Sequence, residues 1–395
     1  MQDNILESLL IDCQEIIRLK SESGQEEKVA SYIKNVMDRL GFDKSWIDDY
    51  GNVIGQITGE GEQCILLEGH MDTVGVERPE LWNYDPYGGE IANNKLYGRG
   101  TSDMKAALMA MVYAAAAFIE NKDKLKGNIV VVGIVFEEVF EGIAQGKILD
   151  KIDPDLLIIG EASSLQLCIG QRGRAEIKVT TFGKNAHSSS PDAGINAVSK
   201  MINFLQEIEK IKLPVDDFLG PAIMVLTDIK SAPYPGKSVI PDCCTVTFDR
   251  RLLPGETEET VLKPVEDIFE ALQEQDKDFQ AEVEIVEAKA ECYTGKVIGG
   301  KRFFPGWLFK EEDTFVRKAH QELISAGFDG QLSHYSFCTD GSQSAGIRGI
   351  PTLGFGPSLE ELAHVVDEYI ETEQIYQAYR GYQAIIRSFF REGES

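Results

Sequence analysis

The chain has 395 residues, of which 65 are acidic and 39 basic, for a formal net charge of −26. A surface this acidic repels phosphate backbones and anionic lipid, which excludes nucleic acid and membrane as favoured partners and leaves solubility as the plain reading of the charge. With 43% hydrophobic and 26% charged residues the composition is that of a globular protein, and the length passes the ~250–300 residues at which single cores stop growing, so two domains are expected.

The seven cysteines are scattered and odd in number, with no C-x-x-C. That argues against a disulfide framework or a cysteine zinc site. The N-terminus reads as an acidic amphipathic helix without a signal-peptide pattern, and no apolar run approaches the ~20 residues that span a bilayer. A cytoplasmic location follows as the expectation.

The first forty residues read as two helices. Ser23 followed by Glu26 fits a capping box opening the second, and Gly41 suits its stop. Ile65–Leu67 is strand-like and runs into Glu68-Gly69-His70. Asp103–Ile119 is an Ala/Met-rich helix. Ile129–Phe136 (IVVVGIVF) and Leu156–Ile159 (LLII) are continuous apolar runs, as expected of strands covered on both faces, and Pro351–Phe355 reads as a last strand. Strands alternating with helices predict an α/β layer: a mixed, largely parallel sheet with helices on both faces.

The middle of the chain has another rhythm. Its order is strand Ala175–Phe182, helix Ile195–Ile211, strands Ala222–Ile229 and Cys243–Arg250, helix Glu256–Gln275, strand Gln280–Val286. That β-α-β-β-α-β order predicts a ferredoxin-like α+β domain. We expect it over residues 175–292, inserted into an α/β domain formed by residues 1–174 and 293–395, with Gly170–Gly173 and Gly295–Gly300 as hinges.

Candidate ligands gather after the strands of the α/β part. His70 and Asp72 follow one apolar run, Glu137 and Glu138 the next, Glu161 a third, and His364 lies in the loop after TLGFG. Asp103 joins them at a helix start. Open α/β sheets bind ligands beyond the carboxyl ends of their strands. A His/carboxylate set without thiolate suits a catalytic zinc site with an open position, and two zinc ions ~3.5–4 Å apart need a bridging carboxylate. Taken singly, each residue has a plain reading: a Glu-Glu pair is usually a solvated face, and a lone histidine usually a satisfied one. Asp72 could hold the His70 ring in one tautomer. His320, in the helical stretch Asp313–Ala326, reads as surface. A serine or cysteine hydrolase lacks support, for there is no G-x-S-x-G elbow and no local cysteine signature.

At these residues the sequence resembles the family of acetylornithine deacetylase, succinyl-diaminopimelate desuccinylase and carboxypeptidase G, co-catalytic di-zinc amidohydrolases. The matching segments are Gly69-His70-Met71-Asp72-Thr73-Val74, Gly98-Arg99-Gly100-Thr101-Ser102-Asp103-Met104-Lys105, Glu137-Glu138, Gly160-Glu161, and Ala363-His364 with Asp367-Glu368. The resemblance implies that His70 and Glu161 hold one metal, Glu138 and His364 the other, with Asp103 bridging. It implies Glu137 as general base and Asp72 as the residue orienting His70. It also implies two divalent ions per chain, zinc with cobalt or manganese as alternatives, and a homodimer formed through the inserted lid and dimerisation domain. In that domain, Gly183-Lys184-Asn185-Ala186-His187-Ser188 resembles the segment whose histidine steadies the oxyanion. Asp249-Arg250-Arg251 resembles the motif whose second arginine, Arg251, binds a substrate carboxylate. The chain departs from the pattern at Ala106-Ala107, where glycine is usual, and at Ser238, where many members have asparagine. Trp82–Tyr87, Gly170–Arg174 and Tyr293–Lys296 are most similar to a subfamily of hydrolases associated with selenium metabolism.

Three functions compete: an N-acyl or N-carbamoyl amino-acid amidohydrolase, a di- or tripeptidase or small carboxypeptidase, and a non-catalytic binding protein of the same fold. The last would need a broken ligand set, whereas all five ligands and the base are present.

Overall fold

The structure is a computed structural model that describes residues 2–391. The chain separates into two compact units: residues 1–171, 289–299 and 308–395, and residues 172–288 with 300–307.

The larger unit is built on a mixed sheet with the order Lys44–Ile47, Val53–Thr58, Gly127–Ile134, Gln63–His70, Leu156–Ile159, Thr352–Gly354, Leu167–Gln171, and Leu332–Tyr335 beside the last. The four central strands, Gly127–Ile134 to Thr352–Gly354, run parallel. They are almost wholly buried, which is why Ile65–Leu67, Ile129–Val132 and Leu156–Ile159 read as apolar runs. Helix Lys105–Ala116 lies against this sheet and is buried from Lys105 to Ala115. Its small alanines admit helices Gln2–Arg18 and Thr372–Phe390 beside it. A helix covered all round needs no polar face, so its sequence carries none.

The smaller unit has a ferredoxin-like sheet, Ile223–Ala232, Cys243–Leu252, Gly173–Phe182, Gln280–Ile285, every pair antiparallel. Strand Cys243–Leu252 alternates between partly exposed and buried positions. Val246, Phe248 and Leu252 thereby join Ile177, Val179, Met201 and Phe204 in the core under helices Ala197–Ile208 and Glu258–Gln275.

Two local expectations are corrected. Ser23 and Glu26 form no capping box: helix Glu27–Leu40 has no side-chain cap, the Ser23 hydroxyl donates to Asp72, and Glu26 faces inward. Asp103 is not in a helix, because the helix begins at Lys105. Gly41 does stop the Glu27–Leu40 helix, at φ +90° with its N–H on the carbonyls of Met37 and Asp38.

Candidate metal centre

The ends of the parallel strands converge. His70 is the last residue of its strand and registers beside Ile134, and Glu68 registers beside Ile159. Asp72, Glu137, Glu138 and Glu161 all follow on that one edge. The structure brings two sets of metal-ligating atoms together, each set within 4.8 Å: His70, Asp103 and Glu161, and Asp103, Glu138 and His364. Asp103 belongs to both. Its Oδ1 lies 2.8 Å from His70 Nε2 and its Oδ2 lies 3.1 Å from His364 Nε2. Glu161 is 3.4 Å from the first imidazole and Glu138 3.0 Å from the second.

Glu368 holds Asp103 in place. One of its oxygens accepts the N–H groups of Gly100, Ser102 and Asp103, and the other pairs with Arg99 at 2.7 Å. His364 sits in a loop at φ +62°, a backbone region most side chains avoid. The loop is held by Asp367, whose carboxylate accepts from the Asn83 amide and backbone and from the Tyr84 backbone.

The electrostatics call for a cation. Burial and then the charge of Asp103 push Glu138 and Glu161 up to about 7. Burial also lifts Glu137 well above the ordinary carboxylate range, and the charges of Asp340, Glu161 and Glu138 add to that. Burial would lower the His70 imidazole, yet Asp103 and Glu161 raise it well above its usual value. His364 is pushed up to about 10 by its hydrogen bonds to Asp103 and Glu138. Burial opposes the charged form of Asp103, but both imidazoles hold its carboxyl well below the usual range. The carboxylates thus favour positive charge at both imidazoles, a demand that a divalent cation also meets. The donor set of nitrogen and carboxylate oxygen, with one carboxylate shared, fits a pair of divalent ions.

Glu137 and Glu138 lie past the end of their strand in a turn, not in extended chain. Glu138 enters the second ligand set and Glu137, which is buried, enters neither. Asp72 meets His70 chiefly through its backbone: His70 Nδ1 is 2.8 Å from the Asp72 carbonyl and 3.7 Å from the carboxylate. That carboxylate instead accepts from the Ser23 hydroxyl and from the backbone N–H groups of Glu137 and Glu138.

Sequence reasoning passed over a second buried pair. Glu68 accepts from the Gln145 amide at 2.5 Å, and its carboxyl is raised far above the usual range by burial and by Asp340. Burial likewise takes Asp340 up to about 6. A glutamate inside the run ILLEGH was the one available signal.

His187 and Arg251 belong to the smaller unit. His187 is exposed, and its Nδ1 lies 2.7 Å from the Ser189 hydroxyl. Arg251 projects from the outer face of its strand and pairs with Asp249 at 3.0 Å, while Arg250 is buried on Glu256. His320 is a surface residue bonded to the Gly330 carbonyl.

Residues 66–388 match the family described as peptidase family M20/M25/M40. The chain belongs to that family. It is 34% identical over 363 residues, 90% of this chain and 87% of the other, to the uncharacterized protein YgeY of Escherichia coli. To an acetylornithine deacetylase of Buchnera aphidicola it is 28% identical over 343 residues, 84% of this chain and 82% of the other. Its fold is that of the aminopeptidase PepT of Bacillus cereus, with a TM-score of 0.75, 21% identity, and 98% and 99% of the two chains covered. A Bacillus subtilis protein described as a dinuclear metal-binding peptidase of the M20 family gives a TM-score of 0.71 at 13% identity, covering 97% and 98%. As an M20 member the chain is a hydrolase of amide or peptide bonds. No helix among the described residues is long and apolar enough to cross a membrane.

Proposed function

We propose that this M20 hydrolase is a two-zinc amidohydrolase that cleaves the amide bond of a small carboxylate-bearing substrate, such as an N-acyl or N-carbamoyl amino acid. The observation that carries the reading is Asp103, whose two oxygens each meet a different imidazole. His70, Asp103 and Glu161 would hold one ion, and Asp103, Glu138 and His364 the other. When bound, such a pair supplies Lewis acidity toward the scissile carbonyl and the attacking water. Glu137 takes the proton of that water and returns it to the departing amine. Asp72 fixes the backbone from which Glu137 projects.

The inserted unit supplies the remaining roles. His187, with Nδ1 on Ser189, offers Nε2 to the developing oxyanion. Arg251, anchored through Nε by Asp249, offers its terminal nitrogens to the substrate carboxylate. Strand Ile223–Ala232 is a sheet edge exposing Val225, Leu226 and Ile229, a surface suited to a second copy of the chain. A homodimer through this unit would carry His187 to the neighbouring subunit's site. A reducing cytoplasm suits seven cysteines that form no disulfide.

A di- or tripeptidase or small carboxypeptidase is the second reading, since the same ligand set and base serve either reaction. A hydrolysis screen of dipeptides and of N-acetyl, N-succinyl and N-carbamoyl amino acids, with added zinc, cobalt or manganese, separates the two. The main reading expects turnover of a free-acid acyl amino acid, and Arg251→Ala to weaken its binding by ~2–5 kcal/mol while sparing the amidated analogue. Turnover of dipeptides alone would replace it, and equal effects of Arg251→Ala on both analogues would remove the role of Arg251.

A further inference from the structure

Strand Gly127–Ile134 ends one residue before an unusual stretch. The next four backbone N–H groups all donate to side-chain oxygens brought from elsewhere in the chain. Val135 donates to Asn52 Oδ1 at 3.0 Å and Phe136 to Glu26 Oε1 at 3.3 Å. Glu137 and Glu138 donate to the two oxygens of Asp72 at 3.0 and 3.2 Å. Asn52, Glu26 and Asp72 are each fully buried. Phe136, at the centre of this cradle, has φ +59° although it is not glycine. That turn is what separates Glu137 from Glu138, sending one into the second ligand set and the other elsewhere.

Glu26 is held for this contact. Its Oε1 also accepts the Gly24 N–H at 2.9 Å, which fixes the carboxyl group from its own loop. Gly24 has φ +86°, and a Cβ there would meet the Phe136 ring at 3.1 Å. The Ser23–Glu26 segment therefore packs against the turn rather than capping a helix. Glu26 Oε2 is buried without a partner. The strongest influences on the carboxyl, after burial, are the charge of Asp72 and backbone N–H donors, and it is pushed up to about 7. A side chain in these surroundings serves by the reach of its oxygen, not by its charge.

We propose that Glu26, acting with Asn52 and Asp72, is a positioning residue for the base, because its Oε1 fixes the left-handed turn at Phe136 from which Glu137 and Glu138 diverge. The proposal rests on the reading of Glu137 as base.

The test uses the metal-loaded protein and the variants Glu26→Gln, Glu26→Asp and Glu26→Ala. Glutamine keeps the acceptor at the same reach without charge, aspartate keeps the charge but falls short, and alanine removes both. We expect Glu26→Gln to keep kcat near that of the parent. Glu26→Asp and Glu26→Ala should lose up to ~10²-fold in kcat, the scale of a misplaced reacting group, with KM and metal content little changed. Hydrogen exchange at the Phe136, Glu137 and Glu138 amides, which needs no substrate, should quicken in the same two variants and not in Glu26→Gln. If Glu26→Ala does not fold, the Gln and Asp pair decides alone. Aspartate matching or outperforming glutamine, amides that stay protected in Glu26→Asp, or a fall in kcat that follows loss of metal would each overturn the proposal. Full activity of Glu137→Gln would instead remove the reading of the base and leave the exchange result standing.

Discussion

The two ligand sets share Asp103 but differ in how the fold provides the rest. His70 and Glu161 come from the ends of central strands, and their side chains are 1% and 5% exposed. His364 comes from a loop, is 50% exposed, and faces a Glu138 that is 8% exposed. In the inner set the sheet register places His70 and Glu161, and the buried Glu368 places Asp103. The outer set depends on a strained loop residue and on the clasp between Asp367 and the Asn83–Tyr84 backbone. The inner ion should therefore be the tightly held one, and the outer ion the exchangeable one, closer to solvent.

The sharpest way to break this division lies at the Glu137-Glu138 pair. On the proposed reading of Glu137 as base, Glu137→Gln should keep both ions and lose ~10²–10⁴-fold in turnover. Glu138→Gln should lose the outer ion first. Metal analysis and turnover on both variants check this, and a Glu137→Gln protein that loses metal would reverse the two roles. A smaller effect is expected from the clasp. Asp367→Ala should weaken the outer ion by ~10–100-fold, the usual scale for a group that holds a ligand, and leave the inner one alone. Competition with a chromophoric chelator would measure both affinities.

Much of this was legible in the sequence, and the reason is physical. A strand buried on both faces is mostly apolar, so Glu137-Glu138 directly after IVVVGIVF and Glu161 just past LLII stand out as a candidate functional edge. The alternation in Cys243–Leu252 and its neighbours likewise follows from one buried face, and it carried the ferredoxin-like order. What stayed hidden are side chains whose partners are remote. Glu26 lies three residues after Ser23 whether it caps a helix or accepts from Phe136, which is 110 residues away, so spacing alone could not separate the two. His-x-Asp pointed to Asp72 beside His70, but not to the backbone carbonyl as the nearer atom or to the carboxylate's bonds with the Glu137 and Glu138 N–H groups. Glu68 and Asp340 meet only in the folded chain. Glu368, which accepts the N–H groups of Gly100, Ser102 and Asp103 from at least 265 residues away, was hidden in the same way.

The smallest effect concerns pH and Glu26. Its folded-state carboxyl, at about 7, lies above the ordinary value of 4.5. Between those values the folded protein binds more protons at this site than the unfolded chain does. Stability from this group is thus fully present below about 4.5 and is lost as pH rises to about 7, by at most about 1.4 kcal/mol per pH unit. Glu26→Gln should flatten that part of the stability curve, as read by denaturant unfolding at several pH values. A slope as steep as that of the parent would place the titration elsewhere.

The central claim is that Asp103 joins two metal sites of unequal strength, and calorimetric titration of chelator-treated protein with zinc tests it most directly. The parent chain should take up two ions in two resolved steps, His364→Ala should keep the tighter step alone, and Asp103→Asn should lose both. A single step of one ion in the parent, or two intact steps in Asp103→Asn, would contradict the account.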